Sequence, residues 1–187
     1  MGVDRQEKII VYAGRLDEIK GVQCLLQALT ILKNKGMKFH LFLAGKGNYA
    51  ATIDFTQGLY TNITFTGFLD REKLYQLYSI ADIGVFPSLY EEFGYVALEM
   101  MMHRLPVVAY RTSGPAEIIE DGQTGLLAEL SFDDHERSIK SLAEKIEYLF
   151  VNTEECRRMG NAGRERYLKN FSMTTFMEKM SNLYSSL

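Results

Sequence analysis

The sequence predicts an α/β fold, a doubly wound parallel sheet of the Rossmann-like kind. Three observations carry this. Short apolar runs alternate along the whole chain with segments whose apolar residues recur at helical spacing. Most of the runs end in glycine or in a Pro-Ser pair, and the residue types suited to ligand contact fall just after them. Short strands buried on both faces and joined by crossover helices assemble as a parallel sheet.

"KIIVYAG" reads as a strand ending at Gly14, and "GVQCLLQALTILKNKG" as a helix that stops at Gly36. "KFHLFLAG" is the second strand, with a helix opening near Asn48. "NITFTG" precedes the helix "DREKLYQLYSI", which Asp70 caps; "DIGVFPS", closed by Pro87 and Ser88, precedes "FGYVALEMMMH". Then come "LPVVAY", a helical turn in "GPAEIIED", and "TGLLAEL", which reads as an apolar hairpin-like segment. Residues 135–151 and 153–169 read as charged amphipathic helices. "SMTTFMEKMSNLYSSL" follows as a last helix, with Phe176, Met177, Met180 and Tyr184 on an apolar face. No repeat or linker interrupts this order, so residues 1–187 read as one domain.

A chain of 187 residues buries roughly 70% of its unfolded surface, and 47% hydrophobic with 24% charged residues is ordinary globular composition. A net charge of −3 with no dense Lys/Arg cluster gives no case for nucleic acid. Cys24 and Cys156 stand far apart without a C-x-x-C, as free thiols in a reducing compartment do. The three histidines are scattered and no D-x-D is present, so no metal is expected. No apolar run approaches the roughly 20 residues that span a bilayer. "MGVDRQEK" lacks a signal-peptide core, and Gln6 occupies the position that N-myristoylation reserves for Ser or Thr. A cytoplasmic protein is expected. The step from "DRQEK" straight into a buried-looking strand suggests a domain of a longer protein.

Open α/β sheets take ligands beyond the carboxyl ends of their strands, where strand order reverses. In "GRLDEIKG" Arg15 offers a planar fork and Lys20 a point charge to a diphosphate, although a solvated turn fits as well. "GKGNYA" has the G-x-G-x-x-A form of a dinucleotide fingerprint. The acid that should hold a ribose at the end of the next strand is missing there, since the strand closes in Thr66-Gly67-Phe68. In "YEEFGYVALEMMMHRLPVV", Glu91 and Glu92 precede Gly94 at a helix start and Glu99 follows in the second turn. Helix N-termini attract anions, and eight residues place Glu91 and Glu99 on the order of 10 to 12 Å apart. That is too far for the paired acids of a glycosidase, at roughly 5 to 9.5 Å. It suits opposite ends of one long ligand such as a nucleotide sugar. Acids that favour a helix dipole are the plainer alternative.

"VYAGRLDEIKG", "FLAGKG", "ITFTGFLDREKLYQLYSIADIGVFPS", "EEFGYVALEMMMHRLPVVA" and "GPAEIIEDGQTGLLAE", in that order, resemble the C-terminal half of family 4 retaining glycosyltransferases, the group 1 glycosyl transferases. The resemblance runs from about residue 8 to 130, and the E-x7-E pair Glu91 and Glu99 is its most specific part. It implies one donor-binding half of a GT-B architecture. The acceptor half would be absent from this chain, and residues 171–187 would pack on it. Arg15 and Lys20 would grip the donor diphosphate and Glu91 the transferred sugar, as catalytic residues. Glu99 would hold the ribose, while Phe93, Gly94, Tyr95 and Val96 would meet sugar and phosphate. Gly14 and Gly45 would lie close to the donor, and Gly67 and Phe68 near its base. On this division a bare nucleoside diphosphate feels Glu99 and not Glu91. The donor would be a nucleotide diphosphate sugar without a metal. The acceptor would be a carbohydrate or a lipid-linked molecule, compatible with peripheral membrane association of the whole protein. A nicotinamide-binding domain of an oxidoreductase and a noncatalytic nucleotide-sugar-binding subunit are the other readings. Two residues depart from the family pattern: Glu92 and Arg104 stand where glycine is usual.

Overall fold

The computed structural model describes residues 7–56 and 58–185. The expectations about Gly2 and Gln6, and the last two residues of the C-terminal segment, lie outside them. Six strands form one sheet: β1 (Lys8–Ala13), β2 (Phe39–Ala44), β3 (Ile63–Gly67), β4 (Ile83–Phe86), β5 (Val107–Tyr110) and β6 (Gly125–Ala128). Their order is β3-β2-β1-β4-β5-β6, every neighbouring pair is parallel, and the order reverses between β1 and β4. The doubly wound sheet that the sequence predicts is therefore present. "TGLLAEL" is not hairpin-like. Its residues Gly125–Ala128 pair in parallel with Val107–Tyr110 as a sixth strand. A four-residue strand buried on both faces has no alternation from which its partner's direction could be read.

Helices cover both faces. They are α1 (Val22–Asn34), α2 (Tyr49–Asp54), α3 (Arg71–Ile80), α4 (Tyr95–Met102), α5 (Ser113–Ile118), α6 (His135–Val151), α7 (Thr153–Asn170) and α8 (Met173–Ser185). Asp70 caps α3 as the sequence suggests, accepting from the Lys73 N–H at 2.9 Å, and Asn48, near which the sequence places a helix start, caps α2 by accepting from the Ala51 N–H at 3.0 Å. One core layer packs α1 and α6 on Ile10, Leu41, Val85 and Val108; the other packs α3 and α4 on Val11, Val107 and Ala109. Arg104, just past α4, takes the left-handed conformation that glycine usually supplies, at φ 59°. α8 has no buried residue, and Phe176, Met177 and Tyr184 are exposed.

Candidate nucleotide-sugar site

The loops that leave β1 and β4 meet at the reversal of strand order, and backbone contacts lock them together. The Leu89 N–H donates to the Ile19 carbonyl at 2.9 Å. Gly21, which opens α1 at φ 68°, lies so close to the β4 loop that a Cβ there would stand 1.8 Å from the Pro87 carbonyl oxygen. Asp17 shapes the turn between them. It accepts the Lys20 N–H at 2.9 Å and pairs with the Arg15 guanidinium at 3.2 Å. Lys20 is thereby carried beside the β4 loop, where its Nζ lies 2.6 Å from Glu91 Oε2.

On the other side, the loop after β1 continues the sheet. The N–H groups of Gly14 and Leu16 each reach a carbonyl, of Ala44 and Lys46, at 2.9 Å, and the Gly45 N–H reaches the Gly67 carbonyl at 2.8 Å. A Cβ on Gly45 would stand 1.7 Å from the Gly14 carbonyl oxygen. The packing of two loops accounts for this glycine, without a dinucleotide. Asp70, the next acid along, is occupied as a helix cap.

Two joined cavities open over these loops. The first, about 310 Å³, is walled by Gly14, Arg15, Gly45, Lys46, Phe68 and Val96 and floored by Ala13, Ala44, Leu69 and Leu74. Lys46 Nζ sits 5.4 Å above the centre of the exposed Phe68 ring. The second, about 210 Å³, holds Lys20 and Glu91 together with Tyr12, Ser88, Tyr95 and Val96. Ala13, Gly14 and Val96 line both. The first turn of α4 forms part of the wall between them, and its leading N–H groups have no partner inside the helix.

Glu99 lines neither of these. It borders a third cavity of about 640 Å³ with Arg71, Tyr75, Phe93 and residues of α7 and α8, and Tyr95 lines both this cavity and the second. Glu99 makes no hydrogen bond or ion pair among the described residues. Burial raises its pKa, and the Arg71 charge offsets part of the rise. Gly67 and Gly94 form no cavity wall; they shape the turns on which Phe68 and Tyr95 sit. Glu92 is exposed and accepts from the Tyr90 hydroxyl at 3.3 Å, so the extra carboxylate turns away from both joined cavities.

Sequence reasoning missed several lining residues. The buried Ser88 hydroxyl in the second cavity has no hydrogen-bond partner among the described residues. Tyr12 donates from its hydroxyl to the Arg15 carbonyl, fixing the loop that carries that cation. The Pro-Ser ending of the fourth run pointed to Ser88. Tyr12 reads as strand filler.

The switch point of the parallel sheet thus gathers two cations, a carboxylate and a helix N-terminus around neighbouring cavities, chemistry suited to a polar, anionic ligand. The chain belongs to the glycosyl transferases group 1 family, which matches residues 2–166. It is 29% identical over 182 residues to an alpha-D-kanosaminyltransferase of Streptomyces kanamyceticus, covering 96% of this chain and 46% of that protein. Among solved structures, sucrose-phosphate synthase of Thermosynechococcus elongatus superposes with a TM-score of 0.82 at 29% identity, over 100% of this chain and 46% of that one. HepE of Anabaena, crystallised with UDP, has the same fold with a TM-score of 0.81 at 23% identity, over 97% and 50%. The chain thus spans about half the length of each of these three proteins.

Proposed function

We propose that this chain is the donor-binding half of a retaining glycosyltransferase and holds a nucleotide diphosphate sugar across the two joined cavities. The base lies by Phe68, Leu69 and Leu74, the diphosphate between Arg15, Lys20 and the first turn of α4, and the sugar toward Glu91. The observation that carries this is the second cavity, where a Lys–Glu pair and a buried hydroxyl without a partner line one space beside a helix N-terminus. HepE's complex with UDP supports a uridine nucleotide as the first ligand to try.

In the transfer, the bond from the sugar's anomeric carbon to the diphosphate oxygen breaks with its electron pair going to the oxygen. A bond from the acceptor oxygen to the same carbon forms, and the acceptor's proton leaves. Negative charge grows on the diphosphate, where Arg15, Lys20 and the N–H groups of α4 stabilise it. The carbohydrate or lipid-linked acceptor binds a further domain of the whole protein, on which α8 packs, and this chain alone does not transfer sugar. The reading places the protein in the cytoplasm. Among the described residues no helix is long and apolar enough to cross a membrane.

The test has two parts. Titration of this chain with UDP, GDP, ADP and NADH should give binding of one nucleoside diphosphate and none of NADH. The full-length protein should then transfer sugar with the donor's anomeric configuration kept, read by NMR. Binding of NADH alone would favour the oxidoreductase reading, and a full-length protein that binds donor yet stays inactive would be a noncatalytic subunit.

A further inference from the structure

In the second cavity, Lys20 and Glu91 are each other's only side-chain partner among the described residues, at 2.6 Å, with the two side chains 24% and 17% exposed. The cation assigned to the diphosphate is therefore engaged by a carboxylate of the same cavity. A phosphate oxygen that approaches Lys20 Nζ meets the Glu91 carboxylate at the same place.

We propose that Glu91 is a positioning residue that acts through Lys20 and makes the site discriminate the sugar-bearing donor from the spent nucleoside diphosphate. This inference rests on the donor-binding reading above. In the donor, sugar hydroxyls can donate to Glu91, so the carboxylate is satisfied while Lys20 turns part of its charge to the diphosphate. After transfer those hydroxyls leave with the sugar. The terminal phosphate loses its ester bond to the sugar and keeps only its anhydride link; its freed oxygen ionises near pH 6, as a phosphate monoester's second ionisation does, so it gains most of one further negative charge at neutral pH. Glu91 then faces a more negative group with no hydroxyl between them, and it competes with that group for Lys20. The carboxylate favours release of the product and leaves binding of the donor intact. Ser88, with an unpaired hydroxyl in the same cavity, donates to either ligand and does not discriminate.

The experiment is calorimetric titration of this chain with UDP, GDP and ADP and with the corresponding glucose nucleotides. It compares the unmodified protein with Glu91→Gln, Lys20→Ala and the double variant. Glu91→Gln should raise affinity for the bare nucleoside diphosphate about tenfold, the scale of one charge-assisted contact, and leave the sugar nucleotide equal or weaker. Lys20→Ala should weaken both ligands. In the Lys20→Ala background, Glu91→Gln should give only a small gain.

An unchanged or lower affinity for the bare diphosphate in Glu91→Gln overturns the proposal. So does an undiminished gain in the double variant, which would make Glu91 a direct repulsive charge and not a residue acting through Lys20. If the unmodified chain binds none of the nucleotides, the donor-binding reading falls and takes this inference with it. Thermal unfolding of each variant checks folding, and Glu91→Ala, with the same expected results, stands in should Glu91→Gln not fold.

Discussion

The carbonyl oxygen of Arg104 sits against Gly160 so closely that a Cβ on that glycine would stand 2.1 Å from it. The turn after α4 thus rests on the backbone of α7, and the contact that must yield is backbone. Gly160→Ala should lower stability by about 1 to 3 kcal/mol, the range of overpacking, despite alanine's better helix propensity. A denaturant midpoint that stays put or rises would show that α7 can shift away.

Arg104 itself is exposed and held at φ 59°. A side chain there costs about 1 kcal/mol that glycine avoids, partly offset by glycine's freedom in the unfolded chain. Arg104→Gly should therefore raise stability by a few tenths to about 1 kcal/mol in urea unfolding. A loss would mean that the arginine makes a contact worth more than the backbone strain.

Much of this fold was legible in the chain because each short apolar run is followed by a turn residue and a helical repeat. The cap at Asp70 was equally plain, since capping is local. What failed was the direction of the last strand, which only its neighbour defines. At the site, the cations and acids were readable by type. Their pairing was not: Lys20 and Glu91 are 71 positions apart, and the sheet's reversal of order brings them together. The Pro-Ser ending marked Ser88 by position, whereas its burial without a partner among the described residues is a property of packing. The glycines of "GKGNYA" have the dinucleotide form without its acid, and the close approach of the neighbouring loop by itself requires glycine at Gly45.

Both cysteines are buried, and burial raises both thiols, Cys156 to about 11. The thiolate is the reactive form, so neither should react appreciably with a disulfide reagent at neutral pH in the folded chain. Unfolding in urea should release both together. Fast labelling of one thiol without denaturant would reveal local opening over Cys24 or Cys156.

Glu99 gives a pH dependence whose sign follows from its raised pKa. A carboxyl whose folded pKa lies above its unfolded value binds its proton more tightly when folded. Its stabilising contribution is complete below the ordinary carboxylate range and is lost as pH rises through the folded value. Glu99→Gln removes that loss. The variant should melt higher than the unmodified chain at about pH 7, and the two should converge near pH 4, around and below the ordinary glutamate value. Equal melting temperatures at both pH values would mean that a counter-charge, Arg71 first, offsets the burial in solution.

The two cations should separate in stability while agreeing in binding. Arg15 is 67% exposed on the side chain and, among the described residues, pairs only with Asp17, so its loss should cost little, as at most surface ion pairs. Lys20→Ala strands Glu91, whose side chain is 17% exposed and has no other partner among the described residues. A carboxylate left so costs roughly 1 to 3 kcal/mol, and Glu91→Gln in the same chain should restore most of it. Toward a nucleoside diphosphate, either alanine should weaken binding by about 1.5 to 3 kcal/mol, the range for a hydrogen bond to a charged group. Unfolding and titration of the same four proteins therefore distinguish a structural pair from a ligand-binding one. Stability lost at Lys20 with affinity intact at both positions would make the pair purely structural and leave the diphosphate without its proposed cations.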